Sequence, residues 1–254
     1  MGAKRTSSST TIILAVLCLV AAACSGTPSA EVQAFCDDYV MVQGLMTTGP
    51  DEADPAPWVE DLTGGLEDLK QKAPSTIAVA VESMADALAV PVEALDEEAY
   101  MALTASDDFN DDLGVISRYV GDECGFGTAS VTAVDFAFDA DLEGLASGQT
   151  MFEFNNDGAE LHEMALIRIN DDATETVVEL LEMPEEEAEQ KTTFLGVAFA
   201  EPGGDSTMFA DLDAGRYVIL CFIPTGATSF EDIETADGPP HFTQGMVREF
   251  TVES

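Results

Sequence analysis

Apolar residues recur at spacings of three and four through the first half of the chain. Val32, Phe35 and Tyr39 make one stripe, and Val59, Leu62, Leu66 and Leu69 a second. Ile77, Val81, Met84 and Leu88 make a third, and Leu113, Ile116, Val120 and Cys124 a fourth. A helix turns once every 3.6 residues, so each stripe occupies one face of an amphipathic helix and has to be buried against the others. The second stripe follows the proline-rich DPAPW; the third opens at Pro74-Ser75 and is closed by Pro91. Short connections predict an antiparallel bundle. The acidic run DDFNDDLG (107–114) misses the spacing of a calcium loop. Counted from Asp108 its glycine comes one place late, and the twelfth position is Tyr119, so it reads as a helix start.

The period changes after GFGTAS (125–130). Val134, Phe136 and Phe138 alternate with Asp135 and Asp139, and QTMFEF, LHEMALIRI, FLGVAFA, GRYVILCFI and VREFTV follow, split by turn residues. Alternation of period two is the mark of a strand, and a series of short strands predicts a β-sandwich. TETVVELLEMPEEEAEQK (174–191) interrupts the series as one inserted helix, with EMPEEEAEQ on its solvated face. In GRYVILCFI, Tyr217, Ile219 and Cys221 share one face and Val218 and Leu220 the other. Both faces are apolar, which predicts a central strand covered on both sides. LDAGRY (212–217) has the pattern of a tyrosine corner. The predicted organisation is a helical domain over 31–126 and a sandwich over 130–254.

The N-terminus is a different kind of segment. Lys4 and Arg5 precede a twelve-residue apolar run (12–23), and small residues lead to Cys24. The run is too short to cross a bilayer as a helix and reads as a secretory signal peptide over 1–23. Its AAAC ending resembles a bacterial lipobox. That resemblance implies that Cys24 is acylated, that 24–30 is a tether, and that the protein is exported and held at the extracytoplasmic face of the cell membrane. In an oxidising compartment disulfides persist. Cys36 and Cys124, on apolar faces at the two ends of the helical region, are expected to pair, stabilising by roughly 4–5 kcal/mol in the chain-entropy model. Cys221 is left over.

Charge narrows the partners. Asp and Glu number 49 against 9 Lys and Arg, a formal net charge of −40. Nucleic acid is excluded, because its phosphates need cations. Anionic lipid repels such a surface too, so membrane contact is expected through the lipid on Cys24. The same charge would steer a basic protein partner.

The chain has only two histidines. His162 follows the turn NNDG (155–158), and His241 sits in PPHFTQGM shortly ahead of Met246. Between them Cys221 ends the most apolar strand. Two imidazoles, one thiolate and one thioether are the donor set of a blue-copper centre. Cys221 is expected half sheltered at the sandwich rim, with His162 opening its own strand and His241 and Met246 on the loop entering the last one. A strand end closed by a loop suits a preorganised metal site. With both histidines engaged, a hydrolase triad or dyad has no base. Phosphate-binding glycine motifs are absent, so an enzyme is not expected.

The strings NNDGAELHEM, GRYVILCFIP and HFTQGMV resemble the cupredoxin (plastocyanin-like) domain over about residues 130–254. The resemblance says nothing about the helical half; with the bundle that the stripes predict, it gives an α+β multidomain protein, a helical bundle followed by a Greek-key β-sandwich. It implies copper held by His162, Cys221 and His241 with Met246 as the weak axial ligand. One-electron transfer with a redox partner follows from it. Copper capture or delivery through a copper-exchange partner, and a metal-free binding or scaffold lipoprotein, remain the alternatives. The sequence departs from the family in two places. Nineteen residues separate Cys221 from His241, where a few are usual. A long loop costs entropy to order, so His241 is expected to be less firmly placed. Glu163 stands where an Asn usually braces the thiolate, so the surroundings of the sulfur are expected to differ.

Overall fold

The computed structural model describes residues 28–48, 56–89 and 106–254. The expected leader, Cys24 and Pro91 lie outside the described residues. Helices form where the stripes predict them: α1 (Ala30–Thr48), α2 (Ala56–Lys72), α3 (Ala78–Leu88) and α4 (Asp107–Glu123). Phe35, Tyr39, Leu66, Leu69, Val81, Met84, Ile116 and Val120 are buried in one cluster, so the stripes face one another as amphipathic helices must. Cys36 and Cys124 are bridged, with Cα atoms 5.8 Å apart, inside the usual range for a disulfide. The bridge ties α1 to the end of α4. No helix among the described residues is long and apolar enough to cross a membrane.

Eight strands follow: β1 (Gly127–Val134), β2 (Ala137–Ala140), β3 (Gly148–Asn156), β4 (His162–Ile169), β5 (Thr192–Ala200), β6 (Asp205–Leu212), β7 (Gly215–Leu220) and β8 (Val247–Val252). They make two four-stranded sheets, ordered β2-β1-β3-β6 and β5-β4-β7-β8. The pairing is antiparallel except between β1 and β3. The two sheets face each other across a core that includes Val131, Phe152, Phe154, Met164, Leu166, Tyr217 and Ile219. The helical region followed by a two-sheet sandwich is the architecture that the sequence pattern predicts.

Both outer faces are partly covered as well. On the first sheet, Phe209 of β6 turns away from the sandwich core and packs into the helical cluster, its ring edge-on to Tyr39 at 5.3 Å and to Phe126 at 6.2 Å. On the second, the short helices α5 (Val177–Glu182) and α6 (Glu185–Glu189) lie in the β4–β5 connection. Val177 and Leu180 pack on Val218, Leu220 and Ile169. This explains why β7 is apolar on both faces. The tyrosine corner is present too: the Tyr217 hydroxyl donates to the Asp213 carbonyl at 2.8 Å.

Four local readings change. The alternating run through 134–138 is two strands: Asp135 and Phe136 form a turn, with Phe136 at φ 63°. The sequence pattern does not single out strand β6 (DSTMFADL): its inward residues Met208, Ala210 and Leu212 alternate with Phe209, which packs on the helical cluster. The single inserted helix is divided at Pro184, which forces Met183 into an extended conformation (φ −84°, ψ 163°). Finally, β7 stops at Leu220, so Cys221 is the first residue beyond it.

Candidate metal centre

The site forms where three chain segments meet at one end of the second sheet. His162 is the first residue of β4 and pairs with Ala200. Leu220, the last residue of β7, pairs with Val247 at the start of β8. One step further, the Cys221 N–H donates to the Met246 carbonyl at 3.3 Å. His241 opens a 3-10 turn (His241–Gln244) that ends at Gly245, whose φ of 114° reverses the chain. Met246 thereby returns to donate its N–H to the His241 carbonyl at 3.2 Å.

The nineteen-residue loop does not leave His241 loose. Its two arms are hydrogen-bonded at the neck: Phe242 N–H to the Cys221 carbonyl at 2.8 Å, His241 N–H to Ile223 at 2.9 Å, and Thr225 N–H to Pro239 at 3.1 Å. Pro224 and Pro240 form a β-bridge there. The excursion beyond the neck is ordered in turn. Asp232 accepts from the N–H groups of Thr228 (3.0 Å) and Ser229 (3.1 Å), and Ile233 and Ala236 pack against the sandwich core. A pinched loop pays its closure entropy at the neck, so its total length matters little to the placement of His241.

Three donors converge. His162 Nδ1 and His241 Nδ1 are 3.1 Å apart, and Cys221 Sγ lies 3.4 Å from His241 Nδ1. A ligand atom from each residue lies within 4.8 Å of the other two. Cys221, His162 and His241 each have 0% exposure, as does Met246. The expectation of a half-sheltered thiol at a rim is therefore corrected: the strand end is roofed by the loop and the β1–β2 turn. Met246 belongs to the same buried core as Cys221 and is hydrogen-bonded through its backbone to both Cys221 and His241.

The residues present fit a metal ion. Two nitrogens about 2.0 Å from one ion at a tetrahedral angle lie about 3.3 Å apart, and nitrogen and sulfur about 3.5 Å apart; the separations of 3.1 Å and 3.4 Å to His241 Nδ1 are within about 0.2 Å of these. Burial, helped by the neighbouring His241, lowers the His162 pKa to about 4. Burial likewise pushes the Cys221 thiol up to about 12, against the opposing N–H groups of Glu163 and Ile223. Without a cation His162 and Cys221 are therefore uncharged at pH 7, and a coordinating ion would deprotonate the thiol outright. One buried polar atom is orphaned: His162 Nε2 has no hydrogen-bond partner, and its nearest carboxylate, Asp135 Oδ1, is 4.0 Å away. A buried nitrogen left so is costly in either tautomer, since 4.0 Å is beyond a hydrogen bond. Coordination through Nδ1 would put the proton on Nε2, the nitrogen nearer Asp135.

The surroundings contain residues that the sequence did not announce. Glu160 Oε2 lies 3.0 Å from His241 Nε2, and the ring of Phe136 meets that of His241 edge-on at 5.2 Å. Glu163 does differ from an Asn brace. Its backbone N–H donates to Cys221 Sγ at 3.4 Å, while its carboxylate accepts the Phe222 N–H at 2.6 Å. Burial raises the pKa of that carboxyl. The main chain thus braces the sulfur and the side chain braces the segment beyond it. Phe222, next in chain to Cys221, is 46% exposed and stacks edge-on against Phe242 at 5.4 Å.

No protein-family model matches the chain, and no curated protein matches it. Among solved structures it is similar to dithionite-reduced auracyanin from the photosynthetic bacterium Roseiflexus castenholzii: 20% identity over 50% of this chain and 97% of that one, TM-score 0.33. Auracyanin A, described as a blue copper protein of the green thermophilic photosynthetic bacterium Chloroflexus aurantiacus, is 17% identical over 50% of this chain and 98% of that one, TM-score 0.29. Rusticyanin from Thiobacillus ferrooxidans is 13% identical over 50% and 76%, TM-score 0.32. These are likenesses only; the chemistry of the site rests on its own geometry.

Proposed function

We propose that this is an exported cupredoxin-like protein that binds one copper ion and carries single electrons. The observation that carries the reading is the convergence of one donor atom each from His162, His241 and Cys221, all within 4.8 Å of one another, in a place closed to solvent. Two imidazoles and a thiolate, with a thioether available from Met246, select copper over hard cations, which prefer oxygen. When bound, copper in such a set supplies a one-electron couple. The chain's own residues hold His162 and Cys221 on strand ends and His241 on a pinched neck, so the ligands have little room to rearrange. They are closed to solvent, which supports a carrier rather than an enzyme. Phe222, exposed and covalently continuous with Cys221, offers electrons a path to the surface.

The remaining parts of the reading rest on sequence. A leader over 1–23 and acylation of Cys24 would hold the protein at the extracytoplasmic face. The disulfide supports an oxidising compartment. With a net charge of −40, a redox partner with a basic docking face is favoured.

Voltammetry of the copper-loaded protein tests electron transfer against copper delivery. A reversible one-electron couple, with copper retained through repeated cycles in the presence of a chelator, is expected. Loss of copper to the chelator on reduction would favour delivery and contradict the carrier reading.

A further inference from the structure

We propose that Glu160 is the positioning residue of this centre: one carboxylate oxygen fixes the His241 ring and the loop neck together, and its charge favours the oxidised metal. This rests on the copper reading and deepens it. The same atom, Oε2, lies 3.0 Å from His241 Nε2 and accepts the Gly226 N–H at 2.7 Å. The Glu160 backbone is itself pinned, because its carbonyl accepts from Asn156 Nδ2 at 2.8 Å. The next residue, Leu161, donates its N–H to the Ala227 carbonyl at 2.8 Å. The carboxylate therefore stands on two fixed segments and reaches the ring from a set position.

A carboxylate beside an imidazole nitrogen accepts a proton bond from it. That places the His241 proton on Nε2 and leaves the lone pair of Nδ1 directed at Cys221 Sγ, 3.4 Å away. The second ring nitrogen decides which nitrogen can ligate. His241 is thus ready to bind before any metal arrives. Its edge, closed by Glu160 and by the Phe136 ring, offers no route to water. The two imidazoles are unequal in this respect: the outer nitrogen of His162 has no partner, whereas that of His241 meets an anion. Donating to a carboxylate makes the imidazole a stronger base, and the negative charge stabilises a doubly charged ion more than a singly charged one.

The test uses the full chain with E160Q and E160A, Cu(II) and Cu(I) as probes, and nitrogen NMR of the metal-free protein. Wild type is expected to carry the His241 proton on Nε2 before copper is added. E160Q keeps an acceptor but removes the charge; E160A removes both. Both variants are expected to weaken Cu(II) at least tenfold more than Cu(I), each tenfold raising the one-electron potential by about 59 mV. E160A is further expected to mix the His241 tautomers. A His241 proton on Nδ1 in the metal-free wild type would overturn the proposal, as would a wild-type ratio of Cu(II) to Cu(I) affinity in both variants. If wild type bound neither ion, the copper reading would fail and the redox part with it. The tautomer measurement, made without metal, would still decide whether Glu160 sets the ring.

Discussion

A Cβ at position 158 would lie 2.6 Å from His162 Nε2, 2.9 Å from Asp135 Oδ1 and 3.1 Å from Asn156 Oδ1, so only glycine lets the turn pass beneath this imidazole. The ring is fully buried and cannot swing away without disturbing the core. Gly158→Ala is therefore expected to push His162 off its position, weaken Cu(II) binding about tenfold or more and cost about 1–3 kcal/mol of stability. A copper titration and a thermal melt check this; wild-type affinity would mean the ring has room to move. At this scale the convergence of His162, Cys221 and His241 was legible in the sequence because histidine is so scarce. Glu160 was not: among 49 acidic residues, no spacing marks the one that faces a ring. Phe136 escaped for a related reason. A bulky residue at φ 63° leaves no trace in a hydrophobic pattern, though such a conformation costs energy and gathers at functional sites.

Among the elements, the helices were read correctly because each buries one face, which preserves the 3.6-residue period. Strand β6 failed the same test. Met208, Ala210 and Leu212 face the sandwich core while Phe209 serves the helical cluster, so one apolar residue on the outer face interrupts an otherwise polar alternation. Tyr39 of α1 lies at that shared boundary. Its hydroxyl is 3.3 Å from Ser117 Oγ on α4 and accepts from the Gln43 amide at 3.0 Å. Burial raises its pKa above the ordinary value of 10.0. The unfolded chain then loses this proton at a pH where the folded protein keeps it, so the contribution is intact below about pH 10 and is lost as pH rises further. Tyr39→Phe should be somewhat less stable than wild type near neutral pH, by about 1 kcal/mol for the lost hydrogen bonds. It should then lose less stability than wild type between about pH 8 and about pH 11 in chemical denaturation. Parallel pH profiles for the two proteins would contradict the burial of an un-ionised hydroxyl at this boundary.

Across the whole molecule, the order of helices then sandwich was evident from the change of period after residue 130. How the two parts meet was not. Phe209 looks in sequence like any strand residue, and only the fold shows it wedged between Tyr39 and Phe126. The loop from Cys221 to His241 was misjudged at this scale too, since its length is plain in the sequence and its pinched neck is a property of the assembled end of the sheet. The helical part packs against the first sheet, whereas the donor cluster sits at the end of the second, which leaves the exposed Phe222 clear of the helices. The measurement that bears most directly on the molecule's purpose is a titration of the metal-free protein with Cu(II), followed by optical absorption, beside Cys221→Ser. A copper-thiolate centre predicts an intense blue or green band that saturates at one ion per chain and is missing from the variant. A colourless complex, or the same spectrum in both proteins, would contradict it.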